Sequence, residues 1–286
     1  MEELDLESQE NLQNHPKYEY QTRKSSKCFS YNDFFWDFMV PNELVIFSNV
    51  SNDWPCRRDW IDGDKVNFNW LEDKFKSLTV PVADNSQAFY NSHLKLDMVF
   101  SDYIDYWRTK EDTRKQLLYL KDWHLKAALP EYNFYKVPKY FASDWLNEYL
   151  LDHKLDDYRF VYMGPKGSWT PFHSDVFSSF SWSTNIVGQK KWVFLPPGEE
   201  QKLKDSLNNF PFRLDEETLK TENIKHYTII QNENESIFVP SNWYHELQYP
   251  PYLEKPHSEL EECGEGDRRL QGYEQLRGAL SEDVEG

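Results

Sequence analysis

Between Tyr158 and His245 the chain is a series of short apolar runs, each closed by a turn residue, and this pattern restricts it to a β-rich core. Arg159-Phe160-Val161-Tyr162-Met163 stops at Gly164. Residues 177–187 and 191–197 are two further strands, with Gly188-Gln189 as the tight connection between them. Residues 227–230 and 236–240 return to strand, the latter ending at Pro240. Runs this short bury nothing alone, so they are expected to pack together as a β-barrel.

The preceding stretch is mixed. Apolar positions at helical spacing from Tyr31 to Met39 follow Ser30 as N-cap and stop at Pro41. Residues 44–47, 79–83 and 117–124 read as strands, and residues 66–78 and 141–151 contain helices. The strongest helical pattern spans 97–110, with Asp97 as N-cap and Val99, Phe100, Tyr103, Ile104 and Trp107 on one face. Residues 199–209 read as a further helix that opens a long polar excursion. The expected organisation is a polar, partly disordered leader over 1–29 and one domain over 30–250. In that domain a helical and strand buttress (30–157) supports a β core (158–250). An acidic tail over 251–286 is expected to be disordered.

Composition narrows the function. With 11 Trp, 18 Tyr and 19 Phe the core is aromatic, and a formal charge of −17 opposes direct nucleic-acid binding. The same charge is compatible with a basic protein or peptide as partner, which an acidic surface would attract. Three cysteines without a CxxC pair point away from a disulfide framework or a cysteine zinc site and towards a reducing compartment. The acidic N-terminus is no secretion signal, and no run of about 18 apolar residues is present to span a bilayer. The expected location is cytoplasmic, with no membrane partner.

His173-Ser174-Asp175 follows the turn Gly164-Pro165-Lys166-Gly167. In extended backbone, residues two apart share a face, so His173 and Asp175 can hold one metal ion with Ser174 turned away. Phe238-Val239-Pro240-Ser241-Asn242-Trp243-Tyr244-His245 brings a second histidine out of a proline turn. Two imidazoles and one carboxylate form a facial set that leaves three octahedral positions open, which suits Fe(II) with a chelating cosubstrate and O2. Zinc more often takes a closed tetrahedral set or leaves one position open.

These motifs, with Gly188-Gln189-Lys190-Lys191-Trp192-Val193-Phe194-Leu195-Pro196-Pro197, resemble the JmjC family of Fe(II)- and 2-oxoglutarate-dependent oxygenases. The segments Tyr162-Met163-Gly164-Pro165, Gly167-Ser168-Trp169-Thr170-Pro171-Phe172-His173 and Phe180-Ser181-Trp182-Ser183 carry the resemblance further, towards its protein hydroxylases. It implies a mainly β fold with α elements: a double-stranded β-helix, a cupin-like jelly roll, buttressed by the N-terminal helices. It implies His173, Asp175 and His245 as iron ligands, and Lys190 as partner of the distal carboxylate of 2-oxoglutarate. Thr170 and Tyr90 are implied as further cosubstrate contacts. The implied reaction couples decarboxylation of 2-oxoglutarate by O2 to hydroxylation of a lysyl side chain in a protein, a translation termination release factor.

The pattern changes after His245. Pro250-Pro251 removes two ladder donors where the family continues with a strand, and the tail is poor in β-branched residues. The expectation is a barrel without its final strand and with an open edge beside the iron site. The alternative function is then a catalytically impaired, truncated isoform that serves as a JmjC-like binding or regulatory protein.

Overall fold

A computed structural model describes residues 23–26, 29–90 and 92–250. Among these residues fourteen strands occur: β1 (Arg23–Ser25), β2 (Val45–Ser48), β3 (Ile61–Asp62), β4 (Lys65–Val66), β5 (Thr79–Phe89), β6 (Ser92–Val99), β7 (Leu118–Trp123), β8 (Val161–Met163), β9 (Trp169–His173), β10 (Ser181–Thr184), β11 (Lys190–Leu195), β12 (Tyr227–Gln231), β13 (Glu235–Val239) and β14 (Tyr244–Gln248). They form three four-stranded sheets, ordered β1-β2-β13-β10, β12-β11-β14-β9 and β6-β5-β7-β8, beside the small β3-β4 hairpin.

The first two sheets make the jelly-roll core. Leu44 and Ile46 from one side and Ile237 and Val239 beside them pack against Trp192, Phe194, Ile229 and Leu247 of the facing sheet. All are buried, and the residues alternating with them, Val45, Phe47 and Phe238, are buried on the opposite face against Phe34, Tyr140 and Phe141, so β2 and β13 are covered on both sides. The third sheet and the helices Phe68–Phe75 and Phe100–Arg108 form a second core around Leu71, Phe75, Phe100, Tyr103, Ile104 and Leu120. This is the mainly β, jelly-roll architecture with helices that the sequence resemblance implies.

The start of the first helix follows its capping chemistry. Asp33 N–H donates to Ser30 Oγ (3.1 Å) and Ser30 N–H donates to Asp33 Oδ2 (2.9 Å), a closed capping box. After Phe34 the helix loosens into a π turn over Phe35–Met39.

Several expectations are corrected. Asp97 is no helix cap: it lies in β6, paired with Pro81, and the helix begins only at Phe100 behind Val99. Pairing with the long strand β5 holds these residues extended despite their helical periodicity, a tertiary override of local pattern. Gly188-Gln189 does not close a hairpin, because β10 pairs with β13 whereas β11 pairs with β12 and β14. The turn carries the chain from one sheet to the other, with Gly188 at φ 73° and its N–H donating to Glu233 (3.1 Å). Only Glu199–Leu203 of the helix expected over 199–209 forms, as a 3-10 turn. Beyond it the Asp205 carboxylate draws in the N–H groups of Leu207 (2.8 Å) and Asn209 (2.9 Å), which favours a turn over a helix. The polar excursion instead holds a helix at Glu216–Thr221, capped by Asp215.

The division at residue 158 also fails in detail. β2 belongs to the jelly-roll sheet, while β8 belongs to the buttress sheet. Within the stretch read as leader, β1 runs parallel to β2, and Arg23 reaches Glu235 at 3.1 Å. Three ladder positions and one ion pair suffice for such an edge, and neither leaves a hydrophobic signature. The remaining leader residues and the tail over 251–286 lie outside the described residues. Among the described residues the end strands of the three large sheets, β1 and β10, β12 and β9, and β6 and β8, each have a strand neighbour on one side. No helix among them is long and apolar enough to cross a membrane.

Candidate metal centre

His173 ends β9 and His245 stands directly opposite it near the start of β14, as cross-strand partners. Their ring centroids are 4.4 Å apart. Asp175 lies just past the strand but keeps extended backbone (φ −65°, ψ 151°), so the two-residue spacing still returns its carboxylate to the histidine face. One donor atom from each of His173, Asp175 and His245 lies within 4.8 Å of the others.

Each donor is oriented by a second contact. His173 Nδ1–H donates to the Pro171 carbonyl (2.8 Å) and His245 Nδ1–H donates to the Trp243 carbonyl (2.9 Å). A carbonyl can only accept, so the proton sits on Nδ1 and the Nε2 lone pair is left for a metal. Ser181 Oγ–H donates to Asp175 Oδ2 (2.6 Å), leaving Oδ1 as the free donor. Burial and the neighbouring His245 ring hold the His173 pKa down to about 4, which keeps its imidazole neutral at pH 7. Two imidazoles, each with its Nδ1 turned to a backbone carbonyl, and one carboxylate converging within this distance fit a facial Fe(II) set.

β9 is an edge strand, and a side chain stands in for its missing neighbour. Asn85 Nδ2 donates to the Trp169 carbonyl and Trp169 N–H donates to Asn85 Oδ1, both at 3.0 Å. Asn85 is in turn fixed by His93 Nδ1 at 2.8 Å, with the His93 ring edge-on to Trp169. Burial holds His93 down to about 4, so it is neutral and accepts this bond. The strand that delivers His173 is thereby braced from the buttress sheet.

The donors lie in a cavity of about 1140 Å³ that also contains Lys190, Thr170, Tyr119, Tyr162 and Tyr249. Lys190 opens β11 and is buried, and among the described residues its ammonium meets no carboxylate; its hydrogen-bond partner is Ser183 Oγ at 3.2 Å. Burial lowers its pKa to about 8. A buried cation without a counter-ion is costly unless an anion joins it. Lys191 turns to the other face and pairs with Glu216 (2.9 Å), so of the two it is Lys190 that lines the cavity. Thr170 is buried in the cavity wall.

Tyr90 does not join this group. It sits at the tip of the β5–β6 hairpin, 89% exposed and at φ 54°. The extension of that hairpin carries it out into solvent. The tyrosines of the cavity wall that lie on the neighbouring strands are instead Tyr119 on β7, Tyr162 on β8 and, just after β14, Tyr249. Tyr119 and Tyr249 hydroxyls lie 3.2 Å apart, and Lys190 Nζ lies 5.8 Å from the Tyr249 ring centre. Burial raises the pKa of all three, that of Tyr249 to about 12, so they remain protonated donors. Tyr162 donates to Asp122 Oδ1 (2.9 Å), and Lys95 meets the other oxygen at 2.6 Å. In sequence Tyr119 is one ring in an apolar strand; the signal that marks it lies in Gly164. A Cβ there would stand 2.6 Å from Tyr119 Cδ2, so only glycine admits the ring.

Residues 160–250 match the family model described as JmjC domain, hydroxylase. The chain is 47% identical to the 2-oxoglutarate and iron-dependent oxygenase JMJD4 homolog of Drosophila melanogaster, over 85% of this chain and 65% of that protein. It is 46% identical to 2-oxoglutarate and iron-dependent oxygenase JMJD4 of Gallus gallus, over 77% of this chain and 55% of that one. It is also 36% identical to arginine-specific demethylase JMJ20 of Arabidopsis thaliana, over 79% of this chain and 54% of the relative. The chain therefore spans between about half and two thirds of the length of these curated relatives. With the matched domain covering both halves of the metal centre, the chain belongs to the JmjC family.

Proposed function

We propose that this chain is an Fe(II)- and 2-oxoglutarate-dependent oxygenase that hydroxylates a protein side chain. The observation that carries the reading is the convergence of His173, Asp175 and His245 with both Nδ1 protons committed to backbone, in one cavity with the uncompensated ammonium of Lys190. Two relatives named for iron and 2-oxoglutarate support it.

In this reading His173, Asp175 and His245 hold the iron, which when loaded activates O2 alongside the cosubstrate. Lys190 binds the distal carboxylate of 2-oxoglutarate as a charge-assisted donor, with Ser183 and the Tyr119–Tyr249 hydroxyl pair beside it. Thr170 lines the same pocket. The apolar rings around the donors, Trp192 and Phe194 against His245, exclude water from the reaction. The finer substrate assignment is a lysyl residue of a translation termination release factor in the cytoplasm. It rests on the sequence resemblance and on the attraction of an acidic protein for a basic partner.

Incubation with Fe(II), 2-oxoglutarate and a lysine-bearing protein substrate is expected to release succinate, and His173→Ala to reduce this to background. Unchanged turnover in His173→Ala would remove the assignment. A thermal shift separates the alternative. If 2-oxoglutarate with Mn(II) as an inert ion does not raise the melting temperature of the wild-type chain, the chain is a binding form without catalysis.

A further inference from the structure

We propose that the helix Trp145–Asp152 and the loop at 176–180 form the docking surface for a basic segment of the substrate protein that also carries apolar side chains. The proposal takes from the oxygenase reading only the place where the target side chain must arrive.

The helix is anomalous in its environment. None of its eight residues is buried, although they include Trp, Tyr and three leucines. Trp145 is 78% exposed and Tyr149 58%. A helix of two turns is marginal in water without packing, and large rings left in solvent mark contact surfaces. What holds it is polar and local. Asp144 accepts from Asn147 N–H (3.2 Å) and Nδ2 (2.8 Å), and Asn147 Oδ1 accepts from Tyr158 N–H (2.7 Å).

Its position is continuous with the metal centre. Leu146, Asn147, Glu148 and Leu151 line the same cavity as His173 and Asp175, and so do Val176 and Phe180. Trp145 and Tyr149, one turn apart, form the outer flank. Beyond Asp175 the chain holds Phe177 at φ 55°, a left-handed conformation costly for a bulky residue, and leaves its ring 78% exposed against Tyr158 (6.1 Å between centroids). From there Tyr158, Phe160 and Tyr162 follow one another as ring contacts at 6.0 and 6.1 Å, leading from the rim into the cavity.

Charge selects the occupant. Asp144, Glu148 and Asp152 recur every fourth residue and so share a row beside the rings. None of the three has an ion-pair partner among the described residues, whose bridges are all made elsewhere. An aromatic row beside an acidic row complements a peptide that presents both cations and apolar groups. Nucleic acid is repelled by the same row, and a second copy of a chain with formal charge −17 is opposed by long-range repulsion.

The test uses the full chain and three fluorescein-labelled 12-residue peptides of equal length, each with one central lysine. Their flanks are Lys/Leu, Lys/Ser or Glu/Leu. Fluorescence anisotropy is expected to place Lys/Leu at least about tenfold tighter than either of the others, because both rows must be engaged. Glu148→Lys with Asp152→Lys should invert the order of Lys/Leu and Glu/Leu, a gain that an unfolded variant cannot give. The same reversal on the β3–β4 hairpin, Asp62→Lys with Asp64→Lys, should leave the order as in the wild type. Equal binding of the three peptides, or inversion by the hairpin variant as well, overturns the proposal. So does a flat ranking together with a concentration-dependent mass in sedimentation, which would assign the face to a second copy. Iron and 2-oxoglutarate binding, read separately by thermal shift on the same protein, shows whether the oxygenase reading stands or falls independently.

Discussion

In the sheet β12-β11-β14-β9 each donor-bearing residue is held from two directions, by the strand ladder and by a side-chain or backbone hydrogen bond; in the helix Trp145–Asp152, a wall of the same cavity, no side chain is buried at all. On the oxygenase reading proposed above, the contrast separates two demands. The atoms that meet the metal must stay where they are, whereas the surface that meets a protein must remain available. Rigidity is concentrated in β9, β11 and β14, and exposed ring area at the mouth.

The contrast can be broken by substitution. Phe194 is fully buried, stacked on Trp192 (5.2 Å, 8° between planes) and against His245. Phe194→Ala should cost about 3–5 kcal/mol in denaturant titration. A loss below about 1 kcal/mol would show that the sheet is not the rigid half. Gly164→Ala drives a methyl group into Tyr119 and Ser168 and should cost about 1–3 kcal/mol, with weaker 2-oxoglutarate binding as Tyr119 is displaced.

Lys190 supplies a pH dependence. Its free pKa is about 8 and the cosubstrate is anionic, so the complex requires the ammonium and raises that pKa. Affinity should be level below pH 8. Above it a proton must be taken up on binding, and affinity should fall about tenfold per unit, ~1.4 kcal/mol, until the pKa of the complex is reached. Calorimetry between pH 7 and 10 reads this directly, and a level profile would take Lys190 out of the pocket. The smallest effect is expected at the rim, where Trp145→Ala should change stability by no more than about 0.5 kcal/mol, since its ring packs on nothing in the core. A larger loss in thermal denaturation would mean that the helix is part of the folded core.

Much of this was legible because strand spacing and metal chemistry act locally. The two-residue separation puts His173 and Asp175 on one face, and it takes the further motif Phe238-Val239-Pro240-x-x-Trp243-x-His245 and the family resemblance to join His245 to them. The choice between Lys190 and Lys191 needs only the alternation of β11, and the resemblance favours the inward one. What escaped depends on pairing between distant segments. Asn85 braces β9 across 84 positions of sequence, and Tyr119 enters the cavity because Gly164 lies opposite. Neither carries a local periodicity. Tyr90 was misleading for the converse reason: the resemblance implies it as a cosubstrate contact, but the length of the β5–β6 hairpin decides where it goes. The helix read at 97–110 failed at its start because pairing with β5 holds those residues extended.

The tethers of His173 and His245 have a consequence for how metal is acquired. Each ring is fixed by the carbonyl two residues before it in its own chain, so the tautomer and the direction of the free lone pair are set by backbone geometry. Nothing in that arrangement waits for an ion. The chain is therefore expected to fold first and load second, with chelation and reloading reversible in the native state. Its affinity for the ion is then undiminished by any cost of folding.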